Sequence, residues 1–196
     1  MPGIPSLGGD PDTFDEQGAF VPDHVPDPGP FLQSEAVLSG DEHIDVHAVA
    51  REVFEQRGVY DVTFGYNLAK LNRDTRHEGA GFRYAEETDP NSGPAAELDA
   101  ADPSVLRAEF TPTTEFCPQG DSLAIGAFRA FNLESERHGY DLVRVRVDEM
   151  HQDSRTLNTK LQSLEDEYAE SGTIPGDVGD GPDNEVPNER GMGAPF

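Results

Sequence analysis

Cys117 is the only cysteine in the 196-residue chain, and it is the first residue whose chemistry the sequence singles out. It lies in FTPTTEFCPQGDSLAIGAFRAF (110–131), between a strand predicted to end near Thr113 and a helix predicted to begin near Asp121. Backbone N–H groups at the start of a helix are unpaired, carry partial positive charge and stabilise a thiolate. We therefore expect a lowered pKa and a reactive or metal-binding sulfur at Cys117.

The residues around Cys117 fit a turn that allows a ligand or a partner to come close. Pro118 cannot prolong a strand, and Gly120 permits close approach of another group. The supporting turn consists of Thr111, Pro112, Thr113, Pro118 and Gly120. The alternative is that Cys117 is a small buried apolar residue, the commonest fate of an intracellular cysteine. The carboxylates of Glu115 and Asp121 also oppose a low pKa, so that the sequence leaves both interpretations open.

The histidines offer one helical pair and one candidate near the end of the chain. The six are His24, His43, His47, His77, His138 and His151. His43 and His47 are four residues apart, a spacing at which two imidazoles on one helix can share a metal. No third ligand is evident near them, and a solvated helix face explains the pair. A single cysteine cannot supply a zinc pattern, and no glycine-rich phosphate loop follows a strand.

The spacing of apolar residues predicts the elements that must position Cys117. Helices are predicted over 41–58, from Asp121 or Ser122 to Gly139, and over 154–172, with an ambiguous short helix in 59–74; strands are predicted over 81–87, 105–113 and 140–150. The order α-(α)-β-β-α-β-α implies an α+β domain. We expect a small mixed sheet of three or slightly more strands with helices packed on one face. Arg144 and Arg146 share one strand face, and we expect them to pair with Glu165 and Asp166 of the last helix.

Composition divides the chain into one domain and two tails. Residues 1–40 hold seven of the sixteen prolines and six of the twenty glycines, and residues 173–196 add four prolines and five glycines. Neither segment has a periodic apolar pattern with which to offset its chain entropy. We therefore predict disordered tails at 1–40 and 173–196, with a single α+β domain over 41–172.

The charge of the chain indicates which environment and which partners to expect. The net charge is −25, from 39 acidic and 14 basic residues, and Lys70 and Lys160 are the two lysines. This balance predicts adaptation to molar salt, where the screening length is about 3 Å. It disfavours binding to nucleic acid, since no basic stripe is present. No apolar run approaches the roughly 18 residues of a membrane span, no signal peptide is evident, and one cysteine cannot form an internal disulfide. We therefore predict a cytoplasmic protein without membrane partners.

The segment around Cys117 resembles a known family. TPTTEFCP (111–118) is similar to the Thr-Pro-Thr-x-x-x-Cys-Pro signature of the iron–sulfur cluster assembly domain of the SufT, PaaD and eukaryotic cytosolic iron–sulfur targeting protein type. The resemblance covers about 102–168, with a helical crossover to the strand VRVRV, then His151 and a last helix. The chain thus resembles a divergent, halophilic member of that family.

The resemblance implies an iron–sulfur cluster assembly or delivery factor rather than an enzyme. In that role the Cys117 thiolate takes part in transient transfer of metal, sulfur or cluster, and His151 is the second implied metal ligand. A transient iron–sulfur cluster or iron is the implied cofactor, with none tightly bound. The implied partners are client apo-proteins or other assembly proteins, and the sequence leaves open whether the protein forms a homodimer.

Two other functions remain open at this stage. The first is a non-enzymatic protein-interaction adaptor on the same scaffold, in which the thiol is unused. The second is a thiol enzyme with Cys117 as its nucleophile and His151 as its base, which needs the two side chains within hydrogen-bond reach.

Overall fold

The computed structural model describes residues 13–175, which form a mixed α+β domain and confirm the predicted fold class. The helices are α1 (Gly40–Arg57), α2 (Gly120–Leu133) and α3 (Ser154–Ser171). The strands are β1 (Ala36–Val37), β2 (Tyr60–Asp61), β3 (Tyr66–Asn67), β4 (Gly81–Glu86), β5 (Val105–Thr111) and β6 (Leu142–Val147). Short 3-10 turns connect them, and the longest is Leu68–Arg73. None of the helices in this part of the chain has the length and apolar character to span a membrane.

The main sheet has four strands in the order β1-β4-β5-β6. β4 is antiparallel to both β1 and β5, whereas β5 and β6 are parallel and joined by the predicted crossover through α2. Because β5 and β6 are parallel, the loops that follow them leave the sheet at the same end, where the carboxyl ends of both strands lie. One of these loops carries Cys117 and the other carries His151. β2 and β3 form a separate antiparallel hairpin.

The ends of the helices follow from local residues in most cases. Gly58 and Gly172 have φ of 67° and 68°, so that each ends its helix in the left-handed conformation that glycine tolerates best. α2 begins at Gly120 and shows no side-chain cap hydrogen bond, so the predicted cap at Asp121 or Ser122 is wrong. α2 also ends at Leu133 rather than near Gly139.

The hydrophobic core lies between α1, α2 and one face of the sheet. β4, β5 and β6 contribute to it at alternate positions, as expected for strands with one face on a core. The largest buried side chains of this core include Phe54, Phe82, Tyr84, Phe110, Phe128 and Phe131. The aromatic rings contact one another, with centroids 5.3 Å apart for both Phe54–Phe82 and Phe54–Phe131.

Asparagine side chains close the exposed edge of β6. Asn132 of α2 accepts a hydrogen bond from the Val143 N–H and donates one to the Val143 carbonyl, both at 2.8 Å. Asn158 of α3 pairs in the same way with Val147, at 2.7 and 2.9 Å. Amide side chains thus occupy two of the positions that a further strand would use, at Val143 and Val147, and so hinder pairing of this edge with another chain.

The opposite face of the sheet is polar and is covered by residues near the N-terminus. The guanidinium carbons of Arg107, Arg144 and Arg146 lie 4.9, 5.6 and 5.1 Å from the centre of the Phe31 ring. Glu165 of α3 is fully buried and pairs with Arg144 at 2.9 Å and Arg146 at 2.6 Å. The predicted pairing with Glu165 is therefore confirmed, whereas Asp166 takes no part in these contacts.

The folded part of the chain begins before the predicted boundary at residue 41. Val25, Leu32 and Leu38 are 7%, 0% and 6% exposed, and β1 pairs with β4. The described part of the predicted tail at 1–40 is therefore packed on the domain, because tertiary contacts bury apolar residues that have no local period. At the other end Ile174 belongs to the core. The rest of the two predicted tails, 1–12 and 176–196, lies outside the described residues.

Candidate functional site

Cys117 lies in the loop between β5 and α2, three residues before the helix begins. Its side chain is half-buried and packs against the core, while the backbone N–H groups of Gln119 and Gly120 hydrogen-bond to the sulfur. Burial raises the pKa of the Cys117 thiol, and the nearby Asp61 carboxylate adds to the rise. The predicted lowering of this pKa is therefore wrong, because desolvation outweighs the two hydrogen bonds from the start of α2.

His151 lies beside Cys117, as a shared site requires, but it contacts the backbone of Cys117. Its Nε2 donates to the Cys117 carbonyl at 3.0 Å, and its Nδ1 accepts from the Asp153 N–H at 3.1 Å. The ring is 3% exposed. Both nitrogens are thus occupied, so that a role as metal ligand or as base towards the sulfur would break one of these bonds. Across residues 13–175, no group of three or more His, Cys, Asp or Glu is arranged to hold a metal ion.

The predicted turn residues surround this contact. Thr111 is the last residue of β5, Pro112 is buried and Thr113 follows it, while Pro118 is exposed. Gly120 opens α2, and its N–H donates to the Cys117 carbonyl at 3.1 Å. A Cβ on Gly120 would lie 2.9 Å from His151 Nε2, so the group that approaches this glycine is the imidazole ring.

Exposed apolar side chains cluster on the loops around Cys117. Among residues 13–175, the exposed large apolar side chains are Tyr60, Val62, Phe116 and Met150, at 38%, 78%, 63% and 41%. Phe116 and Met150 line one shallow depression, and the Gln152 N–H donates to the Glu115 carbonyl at 3.0 Å. The Gln119 amide accepts from the Val62 N–H at 3.1 Å, which holds the β2–β3 hairpin beside the same loop. Tyr60 lies in β2, and its hydroxyl donates to Glu55 of α1 at 2.6 Å. We call the other three side chains, Val62, Phe116 and Met150, the loop-end patch.

His43 and His47 are not a solvated pair, which corrects the interpretation given by their spacing. His43 is 3% exposed, and its ring stacks on that of His47 at 5.7 Å and 12°. His47 bonds the Tyr84 hydroxyl through Nδ1 at 2.9 Å and the Ala69 carbonyl through Nε2 at 2.8 Å. Burial lowers the pKa of His43 to about 3 and that of His47 to about 4, so both rings are neutral near pH 7.

A cavity of about 460 Å³ lies beside this pair, between α1, the turn Leu68–Arg73 and residues 17–25. The residues of its wall that matter below are His43, Ile44, Arg51, Lys70 and Arg73. The wall also contains one carboxylate, Glu55, whose oxygens accept hydrogen bonds from Tyr60 and Asn67. Sequence reasoning missed this site because its walls come from three segments that lack any motif. The signal that was available is the rarity of cations in the chain, since one of the two lysines lies here.

Fold and site together define a small α+β domain with an apolar patch at one edge of its sheet and a cationic cavity beside α1. The sequence matches, over residues 12–175, the family described as a domain of unknown function (DUF7998), and the chain belongs to that family. No curated protein and no solved structure matches the chain.

Proposed function

We propose that this protein is a non-enzymatic adaptor that binds a partner chain through the loop-end patch. The observation that carries the proposal is that three of the four exposed large apolar side chains among residues 13–175, Val62, Phe116 and Met150, lie on adjoining loops. Scattered apolar residues are ordinary on a protein surface, whereas a group on adjoining loops is typical of an interaction site. Loops held by a rigid sheet are also where binding residues usually lie.

The surroundings of the loop-end patch favour a different chain as the partner over a second copy. Glu115 and Glu149 are exposed beside Phe116 and Met150. Two copies meeting at this patch would bring these like charges together, within chains of net charge −25. A partner with an apolar centre and a basic rim complements both features. The asparagine side chains along the free edge of β6 also disfavour a partner that would add a strand there.

A photo-crosslinking experiment in the native cells tests the adaptor proposal. A photoreactive phenylalanine derivative is placed at position 116 or 150, with position 163 on the exposed side of α3 as the control site. We expect one and the same partner to be captured from 116 and 150 and not from 163. Capture at equal levels from all three positions would contradict the proposal.

Purified components then separate the patch from the thiol. Phe116→Asp and Met150→Asp are expected to weaken the complex by tenfold or more, because each places a charge in a desolvated contact. Ser163→Asp adds the same charge on α3 and is expected to leave the affinity unchanged. Cys117→Ala is also expected to bind normally if the thiol is unused. If neither Phe116→Asp nor Met150→Asp weakens the complex, the partner binds elsewhere on the protein.

Iron–sulfur cluster assembly or delivery is the second candidate function. One observation favours it: the partly buried Cys117 side chain adjoins Phe116 of the loop-end patch, and backbone N–H groups of Gln119 and Gly120 hydrogen-bond to its sulfur. A client docked on this patch would thus meet the thiol, and a metal ion deprotonates a thiol that coordinates it. One thiolate cannot hold a cluster alone, so the client would supply the remaining ligands.

Anaerobic reconstitution with ferrous iron and sulfide distinguishes the two functions. For a delivery factor, the complex with the captured partner develops thiolate-to-iron absorption bands, and Cys117→Ser removes or shifts them. For an adaptor, any bands are the same with wild-type protein and with Cys117→Ser. Because His151 is bound to two backbone groups, His151→Gln tests separately whether its ring serves as a ligand.

A further inference from the structure

We propose that the cavity beside α1 binds a small organic anion with a doubly charged group, a phosphate monoester or a dicarboxylate. This site is separate from the loop-end patch and does not depend on the adaptor proposal. Its volume of about 460 Å³ falls in the range of small-molecule pockets, roughly 300–1,000 Å³. The walls are largely preformed, since α1 and the turn Leu68–Arg73 also contribute to the core.

The cations in the wall of the cavity lack the carboxylate partners that five other arginines of the described residues have. Arg51, Lys70 and Arg73 all line it, and no ion pair joins any of them to a carboxylate among residues 13–175. By contrast, carboxylates lie within 4 Å of the guanidinium groups of Arg76, Arg107, Arg137, Arg144 and Arg146. In a chain with 39 acidic and 14 basic residues, three unpaired cations at one cavity point to an anion from outside the fold.

Two of these cations, Arg51 and Arg73, lie close enough to repel one another. Burial and the charge of Arg51 lower the pKa of Arg73, and the Asp15 carboxylate opposes this to a lesser degree. Arg73 Nε donates to the Asp15 carbonyl at 2.7 Å. The Lys70 ammonium lies 4.1 Å from the centre of the Phe14 ring, a contact that leaves its charge without a counter-ion. Like charges held together cost free energy, and a bound anion with two negative charges would reverse the sign of that interaction. The turn therefore presents a site suited to a dianion.

His43 supplies a second and independent sign of a ligand. Its Nδ1 is buried and has no hydrogen-bond partner. The residue is only 3% exposed, and it lines the cavity. Buried polar atoms without a partner are rare in folded proteins, and a ligand is one way to satisfy them. Ile44 and Val25 form apolar parts of the wall. A ligand that fits all of these groups has a charged end for the cations and an uncharged polar or apolar body beside His43.

Calorimetric titration of the full chain tests the site with defined probes. The probes are inorganic phosphate, glycerol phosphate, succinate and, as a singly charged control, butyrate. The titrations are made at the lowest salt concentration that keeps the far-ultraviolet dichroism of the folded protein, because chloride competes for a cationic site. We expect glycerol phosphate or succinate to bind and butyrate to bind at least tenfold more weakly.

The two lysines of the chain provide a matched pair of variants. Lys70→Gln removes a cation from the cavity, whereas Lys160→Gln removes one on α3 that pairs with Asp121 of α2 at 2.6 Å and does not line the cavity. We expect Lys70→Gln and Arg51→Gln to weaken binding by roughly tenfold or more and Lys160→Gln to leave it unchanged. His43→Gln, measured with the same probe, tests whether the uncharged part of the ligand contacts the imidazole of His43.

The outcomes decide the proposal and the chemical class of the ligand. Tighter binding of glycerol phosphate than of succinate assigns a phosphate, and the reverse order assigns a dicarboxylate. The proposal is overturned if no dianionic probe binds, or if Lys70→Gln and Lys160→Gln weaken the binding equally. Thermal midpoints and dichroism of the free variants confirm that each is folded, so that a loss of binding reports on the cavity.

Discussion

Glu109 is a carboxyl group that the fold holds away from water on the polar face of β5. It is 2% exposed, and the Gly29 N–H donates a 2.6 Å hydrogen bond to its Oε1. Burial raises the pKa of Glu109 to about 7, the Asp148 and Glu149 carboxylates add to the rise, and the Gly29 hydrogen bond opposes it. The folded chain therefore holds a proton here that the unfolded chain releases at lower pH.

Glu109→Gln is expected to change how stability depends on pH. The pKa of Glu109 rises from 4.5 to about 7 on folding, so its contribution is fully present below 4.5 and is lost as the pH rises through about 7. Relative to wild type, the unfolding free energy of Glu109→Gln should rise by on the order of 3 kcal/mol between about pH 4 and about pH 8, at 1.36 kcal/mol per pKa unit. Urea unfolding of both proteins measures this difference, and His43 and His47 titrate alike in both. A constant difference across the range would mean that Glu109 ionises as freely as in water.

Gly120→Ala is expected to destabilise the junction of the two loops that carry Cys117 and His151. The new Cβ would lie 2.9 Å from His151 Nε2, on a ring held by hydrogen bonds at both nitrogens. We expect a cost of about 1–3 kcal/mol in urea unfolding, as for other overpacked sites.

Gly126→Ala is the matched control within α2. Its Cβ would lie 3.5 Å from Val59 Cγ2, which is an ordinary contact. Alanine is the better helix former, so this variant should gain about 0.5–1 kcal/mol. Equal effects at the two glycines would show that the contact with His151 carries no strain.

The chemistry of single residues was predictable only in part from the sequence. Residue type and position pointed to Cys117, the family resemblance pointed to His151, and the structure brings the two together. The direction of the Cys117 pKa was missed because it depends on burial by the core and on Asp61, which lies 56 positions earlier in the chain. The burial of His43 and His47 was missed for the same reason, since Tyr84 and Ala69 come from other elements.

At the scale of elements, Asn132 joins α2 to the edge strand β6. It is 3% exposed and donates to the Phe128 carbonyl at 2.9 Å in addition to its two bonds with Val143. No backbone strand lies on that side of β6 in the four-stranded sheet. The side chain therefore satisfies backbone groups that would otherwise be buried without partners.

Asn132→Leu is expected to destabilise the domain by about 2–5 kcal/mol. The leucine has a similar size but leaves the Val143 N–H and carbonyl unpaired, each at a cost of about 1–3 kcal/mol. Asn91→Leu, on an exposed turn, is the control and should change stability by less than about 0.5 kcal/mol. Chemical denaturation measures both, and a loss below about 1 kcal/mol for Asn132→Leu would mean that water replaces the amide.

Long periodic elements were predicted well, whereas short ones were not. The helices predicted at 41–58 and 154–172 and the three predicted strands all exist, with ends displaced by no more than three residues. The region 59–74 is a hairpin followed by a 3-10 turn rather than a short helix. Strands of two residues, such as β1, are too short to show a period, and partners far along the chain determine them.

At the scale of the whole molecule, the segment 13–39 is part of the domain. Leu32 is fully buried, and the Phe31 carbonyl accepts a hydrogen bond from Arg107 Nη1 at 2.9 Å. The sequence predicted a tail here because prolines and glycines are frequent and apolar residues are aperiodic. Composition reports on local order, whereas this segment is ordered by contacts with the sheet. Adaptation to molar salt, which the charge suggests, stays a prediction.

Leu32→Ala measures how much this segment contributes to stability. Removing a fully buried leucine side chain should cost about 2–5 kcal/mol, because it leaves a cavity in packed surroundings. Phe116→Ala removes a larger side chain that is 63% exposed, and it should cost less than about 1 kcal/mol. Urea unfolding of the two variants gives the comparison. Similar small losses would indicate that the segment contributes little to the stability of the domain.

The contacts of this segment also set an order of events during synthesis on the ribosome. Gly29 bonds Glu109, and Phe31 stacks on Arg144 and Arg146, so the partners lie about 80 to 115 positions later in the chain. Residues 13–39 must wait for nearly the whole domain to emerge before they find their final neighbours. Such distant contacts slow folding. The nascent chain is therefore expected to acquire protease resistance in residues 13–39 only after residue 146 has left the exit tunnel.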